Sequence, residues 1–399
     1  MAFKSLGGPV AEAFQSWQHG MMGGNLTVVD KVPEDMRYLV DSHWYQFAPL
    51  NPLWHSVLGF SIFMLGMIAM VGNGMVIYIF TSTKSLRSPS NLLVVNLAFS
   101  DFLMMFCMCP PMVYNCLQET WSLGPLFCTI YGMFGSLFGC VSIWTMTLIA
   151  FDRYNIIVNG LSAKHMTHGG ARIRILLVWL ASLLWTAFPL FGWNRYVPEG
   201  NMTACGTDYL SKDFKSRSYI LVYSVFVYWA PLFLIIFSYT FIMKAVAAHE
   251  RAMREQAKKM NVSSLRSSET DQQSTECKLA KVALCTISLW FMAWTPYLII
   301  NFAGIFESTS ISPLATIWGS VFAKANAVYN PIVMIFEIKL INSNKNKPLN
   351  FQVYGISHPK YRQALMNRFP ALACTNDEEE NLSLGSENTE IMTEKPEKA

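Results

Sequence analysis

Residues Pro313–Phe336 read PLATIWGSVFAKANAVYNPIVMIF, an apolar run whose single charge, Lys324, sits at its middle. The run exceeds the ~20 apolar residues that cross a ~30 Å hydrocarbon core. Snorkelling from such depth is difficult, and a charged lysine at a helix centre costs roughly 2.5–3.5 kcal/mol on insertion scales. The bland reading of Lys324 is an interhelical ion pair. The sharp reading is a reactive amine, because burial favours the neutral nucleophile that adds to an aldehyde and gives a Schiff base.

Six further runs precede it: Leu53–Phe80, Asn91–Cys116, Pro125–Val158, Arg172–Phe191, Tyr219–Ala248 and Thr275–Phe302. Each has the length of a membrane span. Helices satisfy their own backbone groups in lipid and strand alternation is absent, so an all-α bundle of seven transmembrane helices is expected. Composition agrees: of 399 residues 52% are hydrophobic and 14% charged, against ~25% charged in soluble domains. That argues against a disordered chain or an ordinary soluble globule. A net charge of +4 with no aromatic-laced basic stripe gives nucleic-acid binding no support. Nine cysteines are too few for a disulfide scaffold.

Charge sets the expected orientation. Lys84 and Arg87, then Lys164, Arg172 and Arg174, then the basic stretch from Arg251 to Lys281 fall on one side. The alternate connections are poorer in lysine and arginine, although Asn194–Ser218 carries four. The excess places the N-terminus outside and the C-terminus in the cytoplasm. Residues 1–52 hold no stretch resembling a cleavable signal, so the first span is expected to direct targeting. The expected organisation is an extracellular tail over 1–52, the seven-helix domain over 53–336, an anomalous insert over 337–353, an amphipathic juxtamembrane segment over 354–370 and a disordered tail over 371–399. Asn25 and Asn201 stand in glycosylation sequons.

Aromatic residues suit a pocket around Lys324: Trp294 and Tyr297 on the sixth span, Phe226 and Tyr228 on the fifth. Asp152-Arg153-Tyr154 ends the third span. Asn73 lies in the first, Asp101 in the second, Trp294-Thr295-Pro296 in the sixth, and Asn330-Pro331 closes the seventh. Together these resemble the rhodopsin-like G-protein-coupled receptors. Phe322-Ala323-Lys324 followed by Asn330-Pro331 resembles the opsin branch. The stretches 195–200, 249–259 and 290–297 resemble arthropod visual opsins of the long-wavelength insect type.

The resemblance implies that Lys324 binds 11-cis-retinal, or 3-hydroxyretinal, as a protonated Schiff base. Vertebrate pigments place a glutamate counterion where this chain has Tyr131. The matching acid left is Glu199, with Tyr131 as a hydrogen-bond partner; the bland reading of Glu199 is a solvated loop acid. The resemblance also pairs Cys128 with Cys205, both on the oxidising outer side, the alternative being two free thiols. Closing 77 residues stabilises by about 4 kcal/mol on the chain-entropy model. Arg195 and Asp208 match a family ion pair. Arg153 is the implied inner latch, held by Asp152 and Glu276, and Asp101 an interior hub with Asn73.

By the same resemblance the receptor sits in the photoreceptor plasma membrane (the rhabdomere) and activates a Gq-class heterotrimeric G protein through the helical third inner loop. Receptor kinase and arrestin act at the tail, with Ser383, Ser386, Thr389 and Thr393 as candidate sites. No lysine stands at 104–110, where insect ultraviolet opsins carry one, which leans toward visible light.

One departure stands out. Asn330-Pro331-Ile332-Val333 is followed by Met334 where the family has tyrosine, and the expected continuation begins at Tyr354. Removing Met334–Val353 would restore the pattern, so the segment reads as a retained intron or splice variant, and sequencing the mature transcript decides it. The rival functions are a receptor for a diffusible ligand, which Lys324 argues against, a retinal photoisomerase, which Asp152-Arg153 and the basic third loop argue against, and an ion pump, for which Asp101 alone is inadequate.

Overall fold

The computed structural model describes residues 26–259, 268–308, 310–343 and 368. Its helices are α1 (Pro52–Ser82), α2 (Pro89–Gln118), α3 (Gly124–Asn159), α4 (His168–Ala187), α5 (Phe214–Ser224, a π-helical turn Val225–Trp229, then Ala230–Lys259), α6 (Ser268–Ile305) and α7 (Pro313–Ser343). A two-stranded antiparallel hairpin, β1 (Tyr196–Pro198) and β2 (Cys205–Thr207), joins α4 to α5. The chain divides into units 1–356 and 357–399, and only Arg368 of the second is described.

Local chemistry starts the helices. Pro52 and Pro89 occupy first-turn positions, where the missing N–H costs nothing. Asn51, Ser88, Thr167 and Asp213 cap α1, α2, α4 and α5 by accepting from backbone N–H groups of the first turn. The Ser216 N–H also holds the Asp213 carboxyl below its ordinary value.

Six of these helices are long and apolar enough to cross a membrane, and α7 completes the expected bundle of seven. Large apolar side chains such as Phe60, Leu126, Leu176, Phe233 and Met292 point outward, as lipid-facing residues must. The central helix is α3, which touches α2, α4, α5, α6 and both strands.

The helices outrun the expected spans where a span ends but helical hydrogen bonding need not. α5 continues as a charged helix to Lys259, α6 begins at Ser268, and α7 passes the expected boundary at Phe336 and reaches Ser343. Residues 344–353, the juxtamembrane segment apart from Arg368, the tail and Asn25 lie outside the described residues.

Residues 27–51 form a lid at the Cys128 end rather than a loose tail. Val29, Met36 and Trp44 are buried in it. Lys31 Nζ lies 2.5 Å from Glu119 Oε2 at the end of α2, and His43 Nε2 lies 2.8 Å from the Ile311 carbonyl before α7. Trp44 packs so closely on Gly200 that a Cβ there would stand 2.5 Å from the indole.

Candidate functional site

Lys324 lies in the middle of α7 and is 7% exposed. Its Nζ donates to Ser320 Oγ at 2.5 Å, one turn back on the same helix face. It stands 5.8 Å from the centroid of the Tyr131 ring, within cation–π range. No ion pair joins Lys324 directly to a carboxylate among the described residues. The bland reading, a direct interhelical ion pair, is therefore not what the structure contains.

The acid closest in role comes from the hairpin. Cys205 opens β2 and is bonded to Cys128 in α3. That bond draws the hairpin down over the bundle, with Pro198 paired to Cys205 and Val197 to Gly206. Arg195 Nε meets Asp208 Oδ2 at 2.7 Å across the mouth of the loop, the expected ion pair. The Glu199 N–H donates to the Ala204 carbonyl and the Met202 N–H to the Glu199 carbonyl, which closes the turn. Glu199 ends 5% exposed, so it is no solvated loop acid. Burial pushes its carboxyl up from the ordinary value, opposed by the charge of Lys324 and by hydrogen bonds from the Tyr297 and Ser320 hydroxyls.

Gly206 makes that meeting sterically possible. A Cβ there would lie 2.5 Å from Tyr297 Oη and 2.6 Å from Glu199 Oε1. Gly206→Ala is expected to push the two apart and to lower stability by about 1–3 kcal/mol, the usual cost of overpacking. Thermal unfolding of the purified protein checks this, and an unchanged melting temperature would show that the site gives way freely.

Two adjoining cavities define the space around Lys324. Lys324, Glu199, Ser320, Met108 and Ala323 line the first, of about 430 Å3 with its open mouth. Cys140, Ile220, Tyr223, Tyr228, Trp290 and Leu298 line the second, of about 580 Å3 with its mouth. Ser136, Trp294 and Tyr297 line both. The result is an elongated, mostly apolar slot with a primary amine and a carboxylate at one end. Glu199 Oε2, Tyr131 Oη and Trp294 Nε1 are buried without hydrogen-bond partners among the described residues. An elongated apolar aldehyde fits this donor set: the amine is a nucleophile that would condense with it, and a carboxylate in the same cavity would balance the charge of a protonated imine nitrogen.

The expected pocket aromatics divide. Trp294 stacks on Trp290 at 5.5 Å and stands edge-on to Tyr297 at 6.2 Å. The Tyr228 hydroxyl lies 2.7 Å from Thr295 Oγ1. Phe226 corrects the expectation: it packs between Trp144 and Trp185, at 5.2 and 5.1 Å. It lies in the π-helical turn of α5, whose wider turn changes side-chain register from that of a regular helix. Tyr131 meets Lys324 with its ring, while its hydroxyl makes no hydrogen bond there. Asn201 is a second correction: it is fully buried and its amide donates to Thr203 Oγ1 at 2.5 Å, so a glycan on that nitrogen has no room.

At the opposite end of α3, Arg153 NH2 pairs with Asp152 Oδ2 at 2.6 Å, both buried. Tyr154 packs against Phe237 and Phe241 of α5. Asn73 Nδ2 donates to the Ala327 carbonyl at 2.8 Å, tying α1 to α7 three residues beyond Lys324, and Asp101 is fully buried. The side chains of Glu276, Asn330 and Pro331 lie outside the described residues.

Reading the sequence missed Ser320 and Gly206. Ser320 had a signal, its spacing of four residues before Lys324. Gly206 had only its place beside Cys205. The sequence also gave no hint of the clasp in which Lys212 and Arg217, at the start of α5, hold Glu307 after α6 at 2.9 and 2.6 Å. Those hydrogen bonds and charges keep the exposed Glu307 carboxyl below its ordinary value.

The family described as 7 transmembrane receptor (rhodopsin family) matches residues 72–334. Rhodopsin of Camponotus atriceps is 69% identical over 370 residues, covering 93% of each chain. Long-wavelength rhodopsin of Apis mellifera is 63% identical over 390 residues, covering 98% of each. Among solved structures, squid rhodopsin aligns with a TM-score of 0.72 at 34% identity, over 90% of this chain and 96% of that one.

Proposed function

The chain belongs to the rhodopsin family of seven-transmembrane receptors, and on that premise we propose that it is a visual pigment whose chromophore, 11-cis-retinal or its 3-hydroxy form, is carried by Lys324. It is a multi-pass membrane receptor that couples to a G protein, and not an enzyme. The observation that carries the reading is the buried amine at the end of a long apolar slot, with a buried carboxylate beside it.

When bound, retinal supplies a light-sensitive double bond and a positive nitrogen at Nζ. The rest is the work of this chain. Lys324 provides the attachment point and fixes the depth of the group in the bundle. Glu199 balances the positive nitrogen, and the disulfide holds the hairpin that presents it. The Tyr131 ring adds a face of negative potential. Trp294 and Tyr297 line both cavities, so a change of shape in the slot presses on α6. α6 and α7 are the elements through which this strain reaches the Asp152–Arg153 pair, where Glu276 acts as a second hold on Arg153, Tyr154 packs at the α5 face, and Asn330-Pro331 with the Asn73 and Asp101 region lets α7 shift. The N-terminus faces outward with Asn25 as the glycan site, the cytoplasmic partner is a Gq-class G protein, receptor kinase and arrestin act on the tail, and the cell surface is the rhabdomere.

The test is expression with 11-cis-retinal in darkness followed by a light-minus-dark difference spectrum, with Glu199→Gln alongside. Breaking a buried charge pair costs ~3–5 kcal/mol, or roughly 2–4 pH units at 1.36 kcal/mol each. The pH at which the visible band gives way to a near-ultraviolet band should therefore fall by that much in Glu199→Gln. An unchanged band and transition pH would remove Glu199 from the role.

A second reading concerns signalling. The helix of α7 runs on through Ser343, past Met334, at which the family match ends. With Met334 where the family tyrosine is expected and Tyr354 displaced by 20 positions, the second reading is a splice variant that binds chromophore but signals poorly.

A further inference from the structure

The charge-balancing arrangement has a gap at its centre: Lys324 and Glu199 line one cavity, yet no direct ion pair joins them. Ser320 fills the gap. Its Oγ accepts from Lys324 Nζ at 2.5 Å and shares a cavity with the Glu199 carboxylate, whose charged form the hydroxyl favours. The side chain is 2% exposed, so bulk water does not compete.

A hydroxyl is suited to this place by its hydrogen-bonding inventory. It offers one donor and two lone pairs, so it can accept from a cationic nitrogen and donate to a carboxylate at once. An amide would need more room, and a methyl group would leave both charged groups unsolvated. The i−4 spacing puts Ser320 one turn from Lys324 on the same face of α7, so the backbone fixes its distance to Nζ. Glu199 Oε2 has no hydrogen-bond partner among the described residues, so the carboxylate has a lone pair to spare.

We infer that Ser320 is a positioning residue that transmits the Glu199 charge to the Lys324 nitrogen, the two forming one composite counterion. The inference rests on the proposed attachment of the chromophore at Lys324. Charge-assisted hydrogen bonds run in series from nitrogen to hydroxyl to carboxylate, each strengthening its neighbour. The proton stays on the nitrogen because the carboxylate polarises the hydroxyl that accepts from it.

Two measurements on Ser320→Ala test this. In pigment reconstituted in darkness, the pH at which the visible band is lost should fall by about one unit, a tenfold loss of proton affinity, and Ser320→Thr should restore it. In the retinal-free protein, reductive methylation of Lys324 by formaldehyde and cyanoborohydride, followed by mass spectrometry, should run several-fold faster near neutral pH, because the ammonium form has lost a stabilising acceptor. If Ser320→Ala folds poorly, Ser320→Cys, of similar size but a weak donor, is read the same way. Wild-type transition pH and wild-type methylation rate in the variant would overturn the inference and leave the pigment reading standing. A wild-type protein that forms no pigment would overturn that reading instead, and the methylation arm would still decide whether Ser320 acts on the amine.

Discussion

Lys324→Ala protein incubated with 11-cis-retinal in darkness is expected to show no visible band and no covalent adduct after borohydride reduction, while folding at least as well as the wild type. The first half follows from chemistry: the methyl group of alanine cannot condense with an aldehyde. The second follows from the insertion cost of a lysine at mid-helix, ~2.5–3.5 kcal/mol, which the substitution removes. Glu199 then loses its cation, but burial already favours its neutral form, and the Tyr297 hydroxyl remains beside it. Absorbance and the mass of the reduced protein check the first half, and thermal unfolding the second. A visible band in the variant would mean that another side chain carries the chromophore.

Deleting Met334–Val353 has the second large expected effect. It joins Val333 to Tyr354 and restores the tyrosine after Asn330-Pro331-Ile332-Val333. Light-stimulated nucleotide exchange on a Gq-class G protein should rise by roughly 5–150-fold, the usual range of coupling between distant sites. The absorption maximum should stay in place, because Lys324, Ser320 and Glu199 all lie on the other side of Asn330 along α7 or on the hairpin. Equal exchange by both forms would show that the segment does not interfere with the switch.

Much of this architecture was legible in the residues themselves. Hydrocarbon thickness sets a length that the seven runs match, so most helix ends lie within three residues of the expected bounds, and only α4, α5, the start of α6 and the end of α7 depart by a turn or more. Lys324 was legible because a charge at that depth demands a reason. The Cys128–Cys205 bond and the Arg195–Asp208 pair came from family likeness, and both are present in the structure. What the residues did not disclose is rotation and long-range polar contact. Phe226 was expected in the pocket as an aromatic of the fifth span, but its ring packs toward α3 and α4 from the π-helical turn. Asn201 satisfies a sequon, yet it is fully buried. Ser320 and Glu199 are 121 positions apart, and no local pattern announces that they line one cavity.

The uninterrupted course of α7 bears on how a membrane helix accepts added length. Its 31 residues extend about 46 Å at 1.5 Å each, well beyond the hydrocarbon layer. Extra codons spliced into a water-soluble domain must find partners for every new amide or wreck the interior. From Met334 to Ser343 each peptide continues the helix and bonds to the turn before it, so added length there needs no partner from the bundle. Length added there would leave the slot at Lys324 as it is, and would alter only what lies beyond Asn330 along the helix.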